Sequence, residues 1–86
     1  MNNLNEVLEE RGNNYGNFRD HAALAQDIKY AMKSNIGYTN LSKSQKESLE
    51  MIAHKMARII NGNPDYVDSW TDIAGYAQLI VRELTS

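Results

Sequence analysis

Ser42 followed by Gln45 limits what this chain can fold into more than any other feature. A serine side chain there accepts the backbone N–H of the residue three places on, and that residue's amide reaches back to the serine N–H. The pair therefore marks a helix start. From it Leu49, Ile52, Ala53, Met56, Ile59 and Ile60 recur on one side at about 100° per residue, the period of an amphipathic helix. Gly62 closes the run where helices end. A second stripe of Trp70, Ile73, Ala74, Ala77, Ile80, Val81 and Leu84 predicts another long helix, starting near Asp65 to Asp68 and running antiparallel to the first. Those two carboxylates suit the positive end of its dipole.

Upstream the signals are shorter. Leu4, Val7 and Leu8 predict a helix over about 4–11, and the glycines and asparagines of 12–18 predict a turn. A helix over about 19–34 follows, burying His21, Leu24, Ile28, Ala31 and Met32, and residues 35–40 break the pattern. No stretch alternates as a half-buried strand does. The expectation is an all-α fold: one domain over 1–86, a compact bundle of about four helices with two long antiparallel C-terminal ones. A chain of 86 residues buries only roughly 60–65% of its unfolded surface, so the bundle is expected to be completed by oligomerisation.

Net charge is −2, and the nine Lys and Arg residues are scattered. That excludes the basic footprint of a duplex nucleic-acid binder. With no cysteine, thiol catalysis, disulfides and thiolate metal sites are excluded too. Met1 to Glu6 carries neither a basic region nor an apolar run, and no stretch reads as membrane-spanning, so a cytoplasmic setting is expected.

Candidate chemistry lies on the polar faces of the two long helices. Glu47, Met51, His54 and Arg58 share one face, with Glu50 beside them; Asp68, Asp72, Gly75 and Leu79 share another. Each face carries an apolar residue in its middle, so both are expected to be covered. Gly75 sits inside a helix at a cost of roughly 1 kcal/mol against alanine, which predicts that something approaches its backbone. In the plainest reading the charges are ion pairs, Glu50 with His54, and Asp68 or Asp72 with Lys55 or Arg58. In a sharper one Glu50, Asp68 and Asp72 frame a divalent cation, or His54, Lys55 and Arg58 hold phosphates. The segment from Arg11 to Phe18 offers glycine-rich backbone, with Arg11 or Arg19 for charge and Tyr15 or Phe18 for stacking on a base; its plainer role is a connector whose aromatics plug the bundle end.

Glu10-Arg11-Gly12, Tyr15-Gly16, Phe18, the run Leu49 to Ile59, Gly62-Asn63-Pro64 and the block Asp68 to Tyr76 occur in an order that resembles a family of small bacteriophage helical domains. Some of that family are described as related to a T7-group nucleotide kinase. The resemblance implies a phage origin and a setting in the infected bacterial cytoplasm. More distantly, Glu47-Ser48-Leu49-Glu50 followed by Asp68 to Asp72 is similar to the layout of the MazG-type all-helical nucleoside triphosphate pyrophosphohydrolases, which pair such acids around magnesium in oligomeric bundles. The second pair differs here, since Ser69 stands three places before Asp72.

Three expectations follow. The first is a homo-oligomer that binds a nucleotide or nucleotide-derived signal through Arg11, Tyr15, His54, Lys55, Arg58, Asp72 and Tyr76, managing a nucleotide pool or countering host defence. The second is a Mg2+-dependent pyrophosphohydrolase built on Glu47, Glu50, Asp68 and Asp72. The third is a non-catalytic interaction protein whose Gly75 face packs against a host partner or another copy of itself.

Overall fold

The computed structural model describes residues 3–86; Met1 and Asn2, the start of the segment read above for targeting signals, lie outside them. Four α-helices form, with no strand among the described residues: α1 (Leu4–Tyr15), α2 (Phe18–Lys33), α3 (Lys43–Asn61) and α4 (Val67–Thr85). A 3-10 turn, Ile36–Asn40, joins α2 to α3. The all-α expectation is met, and no helix among the described residues is long and apolar enough to cross a membrane.

The capping box that opened the sequence reading is formed: Gln45 N–H donates to the Ser42 hydroxyl at 3.0 Å, and Ser42 N–H to the Gln45 side chain at 2.9 Å. Asn3 and Glu6 form the same device on α1. That helix overruns its expected end at Arg11 by about one turn, because nothing crowds Gly12 and the backbone stays helical through Tyr15. The turn proper is Gly16, whose φ of 78° suits a residue without a side chain. Asn17 then caps α2 by accepting the N–H of Arg19 at 2.8 Å.

α3 is the central helix, with α2 on one side and α4 on the other; α1 touches α3 and α2, and no substantial contact joins α2 to α4. Its partners run antiparallel to it, as Ser44 to Glu83 (2.9 Å) and Lys55 to Asp72 (2.8 Å) show for α4. Two neighbours on opposite sides redistribute burial. Ser48, Ala53, Ala57 and Ile59 are the buried residues of α3, whereas Leu49, Met56 and Ile60 of the expected stripe stay exposed. The same correction applies to α4. It meets α3 through Ser69, which is buried, and half-buried Asp72, Ile73, Tyr76 and Ile80, while Trp70, Ala74, Ala77, Val81 and Leu84 face outward.

Candidate functional site

At one end of the layer the α1–α2 turn and the α3–α4 turn are stitched together. Asn61 donates its amide to the Tyr15 carbonyl at 3.1 Å and the Asn17 carbonyl at 3.0 Å, and Asn63 N–H donates to the Asn14 carbonyl at 2.7 Å. A side chain on Gly62 would strike the backbone of Asn14 and Tyr15, and one on Gly16 would strike Asn61. Two glycines thus let two backbones touch.

This stitching holds Tyr15 in place. Its ring stands edge-on to Tyr66 at 5.8 Å, and the Arg58 guanidinium lies over its face at 4.2 Å, a cation–π contact. Beside them a cavity of about 380 Å3 is lined by Leu8, Arg11, Gly12, Tyr15, Gly16, Asn17, Phe18, His21 and Arg58. That volume is in the range of small-molecule pockets. Among the described residues two arginines line it and no carboxylate does, in a chain whose net charge is −2.

His21, expected to be structural, is buried in the wall of this pocket, and its Nδ1 has no hydrogen-bond partner. A buried polar atom without a partner is uncommon in folded proteins. Phe18 packs against its ring at 6.0 Å, and His54 meets it edge-on at 4.6 Å. Both imidazoles resist protonation. Burial is the main cause for each, followed by the positive charge of Arg58, and His54 is pushed down to about 4.

The residues expected to bind a ligand therefore separate into two groups. Arg11, Tyr15 and Arg58 line one pocket, with His54 behind its His21 wall. Lys55, Asp72 and Tyr76 lie on the α3–α4 seam instead: Lys55 is paired with Asp72, and the Tyr76 carbonyl accepts the Ser48 hydroxyl at 2.8 Å. Tyr76 also borders two open grooves along α4.

The four acids do not converge either. Glu50 faces α2, taking the Tyr38 hydroxyl at 2.8 Å and Lys33 at 3.3 Å; the Tyr38 hydrogen bond in particular holds its carboxyl below the usual range. Asp72 faces the opposite side of α3, toward Lys55. Asp68 accepts the Tyr66 hydroxyl at 3.0 Å, and Glu47 borders an open groove with Ser44 and Glu83. The expected pairing of Asp68 or Asp72 with Lys55 or Arg58 is met by Asp72 with Lys55, whereas that of Glu50 with His54 is replaced because α2 and the 3-10 turn bring Lys33 and Tyr38 to Glu50. Among the described residues no three His, Asp or Glu side chains gather in a way that holds a metal ion, so the residues present do not fit a magnesium centre.

On the expected α3 face Glu47 is exposed while Glu50, Met51, His54 and Arg58 are half-buried, so the face is covered in part, with Glu50, His54 and Arg58 meeting other parts of the same chain. Leu79 remains 54% exposed, and no part of the described chain comes near Gly75. Of the pocket residues, reasoning from sequence undervalued His21 and passed over Asn61. An asparagine just before a helix-ending glycine was the available signal, since it sits where two turns can be bridged.

The arrangement defines a small all-helical domain with an arginine-lined pocket at one end. The chain belongs to the family described as "Domain of unknown function (DUF6378)", whose model matches residues 1–83. No curated protein and no solved structure is significantly similar to it.

Proposed function

We propose that the protein binds a small phosphate-bearing ligand of nucleotide type in the pocket between α1, α2 and α3. The observation that carries this reading is the charge of the pocket: Arg11 and Arg58, from different helices, line it with no carboxylate among the described lining residues. Guanidinium groups match phosphate oxygens with paired hydrogen bonds, and each bond to a charged group contributes about 1.5–3 kcal/mol. Tyr15 and Phe18 supply aromatic faces for a base. An anion there also offsets the positive field of Arg58 on both imidazoles. The resemblance to phage domains supplies the setting, in which such a protein manages a nucleotide pool or sequesters a host signal in an infected cytoplasm.

The test is thermal shift of the full chain against inorganic phosphate, pyrophosphate, nucleoside mono- and triphosphates and cyclic dinucleotides. At least one phosphorylated compound is expected to raise the melting temperature in proportion to the logarithm of its concentration. Arg58→Ala or Arg11→Ala should weaken that ligand by about tenfold or more. No stabilisation by any of these compounds at millimolar concentration, or stabilisation that both variants leave intact, overturns the reading.

A further inference from the structure

The outward side of α4 carries Val67, Trp70, Ala74, Ala77, Val81 and Leu84, all exposed in the single chain. Their spacings are three, four, three, four and three, the a/d pattern of a helix that packs along its length against another. The spacing reads the same in both directions, with the alanines at the centre and bulkier apolar residues at both ends. Turned end over end about a point between Gly75 and Tyr76, Val67 falls on Leu84, Trp70 on Val81, and Ala74 on Ala77.

We infer that this face is the interface of a two-fold dimer in which α4 packs antiparallel against α4 of a second copy. A two-fold contact must be self-complementary, and this stripe places large residues against large ones at both ends and small against small at the crossing. The alanines let the helix axes approach closely, as interaxial distance depends on the side chains at the crossing. The flanking positions Thr71, Ile73, Gln78, Ile80 and Thr85 carry no charge, so a second copy meets no like-charge repulsion along the seam. Trp70 is already oriented, its indole N–H donating to the Pro64 carbonyl at 2.8 Å while the residue stays 53% exposed.

Two further observations favour a second copy as the occupant. Among the described residues no large side chain is fully buried, and the radius of gyration is 14.8 Å against about 12 Å for a domain of this length. Val67, Trp70, Val81 and Leu84 of α4 are each about half or more exposed, and Leu49 of α3, which shares a groove with Ala77, is exposed as well, so the stripe offers continuous apolar surface of the kind a stable interface buries. The face is separate from the arginine pocket, and this inference does not rest on that reading.

The absence of cysteine makes the test clean. Light scattering of the full chain at tens of micromolar, above the weakest dissociation constants of standard-size interfaces, should give twice the mass of 9.8 kDa. Ala77→Glu should return the single mass with helical circular dichroism retained, since the position is exposed in the lone chain. Adding Ala74→Lys to it should restore the dimer, because the antiparallel register sets the two new charges against each other. Under oxidation, a mixture of Trp70→Cys and Val81→Cys chains should form the mixed disulfide in preference to either symmetric one. A monomer throughout overturns the inference, whatever other protein the face then binds. So does a dimer indifferent to Ala77→Glu, or one that yields only symmetric disulfides.

Discussion

Gly62 and Gly75 cost the unfolded chain the same freedom, yet they stand in opposite surroundings. Around Gly62 the chain meets itself: the backbone of Asn14 and Tyr15 fills the space a side chain would need. Around Gly75 nothing of the described chain lies within reach. The difference separates the part of the molecule that is complete in one copy from the part that is not. At the first end, hydrogen bonds from Asn61 and Asn63 close two turns on each other and fix the arginine pocket; along α4, apolar side chains stand exposed.

The strongest attack on this contrast is Gly62→Ala. The new methyl group has no flexible neighbour to displace, only backbone, so the α1–α2 turn must move off the end of α3. We expect a loss of about 3 kcal/mol in urea unfolding, a large share of the stability of a domain this size. Because that turn carries Tyr15, the Arg58 contact should go with it, seen as a change in tyrosine fluorescence. Near-normal stability would mean that the two turns are not held together.

A middling effect comes from the imidazole pair beside the pocket. His54 has its pKa pushed down to about 4 from an ordinary 6.5, chiefly by burial and then by Arg58, His21, Lys29 and Lys55. Between those values the unfolded chain binds more protons than the folded one, so stability rises with pH across the window. The contribution is whole above pH 6.5 and is lost as pH falls toward 4. Melting temperature should therefore drop from pH 7 to pH 4.5, and His54→Gln should flatten the slope. Glu50 acts in the same direction, but only below its ordinary 4.5, which keeps the two apart. A melting temperature level from pH 7 to pH 4.5 would show that His54 is not enclosed as described.

The features legible in the sequence are those whose cause is local. The Ser42–Gln45 box, the Gly62 stop and the antiparallel α3–α4 pair needed only hydrogen-bonding groups and spacing within one segment. Which stripe is inside was not legible, because a helix with neighbours on two sides buries Ala53 and Ala57 toward one and Ser48 toward the other. A single apolar face is the signature of a helix with one neighbour. The candidate residues divided for the same reason. Arg58 and Lys55 are three places apart and face different helices, so one joins Tyr15 in a pocket and the other is spent on Asp72. His21 looked like a core residue because its helix stripe is apolar; that its Nδ1 lacks a partner depends on what α1 and α3 bring beside it.

The smallest expected effect, and the only one of opposite sign, is at Gly75. In the middle of α4 a glycine weakens the helix, and with open space around it an alanine meets no obstacle. Gly75→Ala should therefore stabilise the protein by about 0.5–1 kcal/mol in urea unfolding. The position lies on the far side of α4 from Trp70, Ala77 and Leu84 of the stripe, so the mass in solution should not change. Should the alanine instead lower stability or alter the mass, some surface in the assembly approaches that backbone, and the α4 groove of Asp72, Gly75 and Leu79 is a second contact face. A gain in stability with the mass unchanged leaves the glycine a tolerated weakness in a helix held by its other two sides.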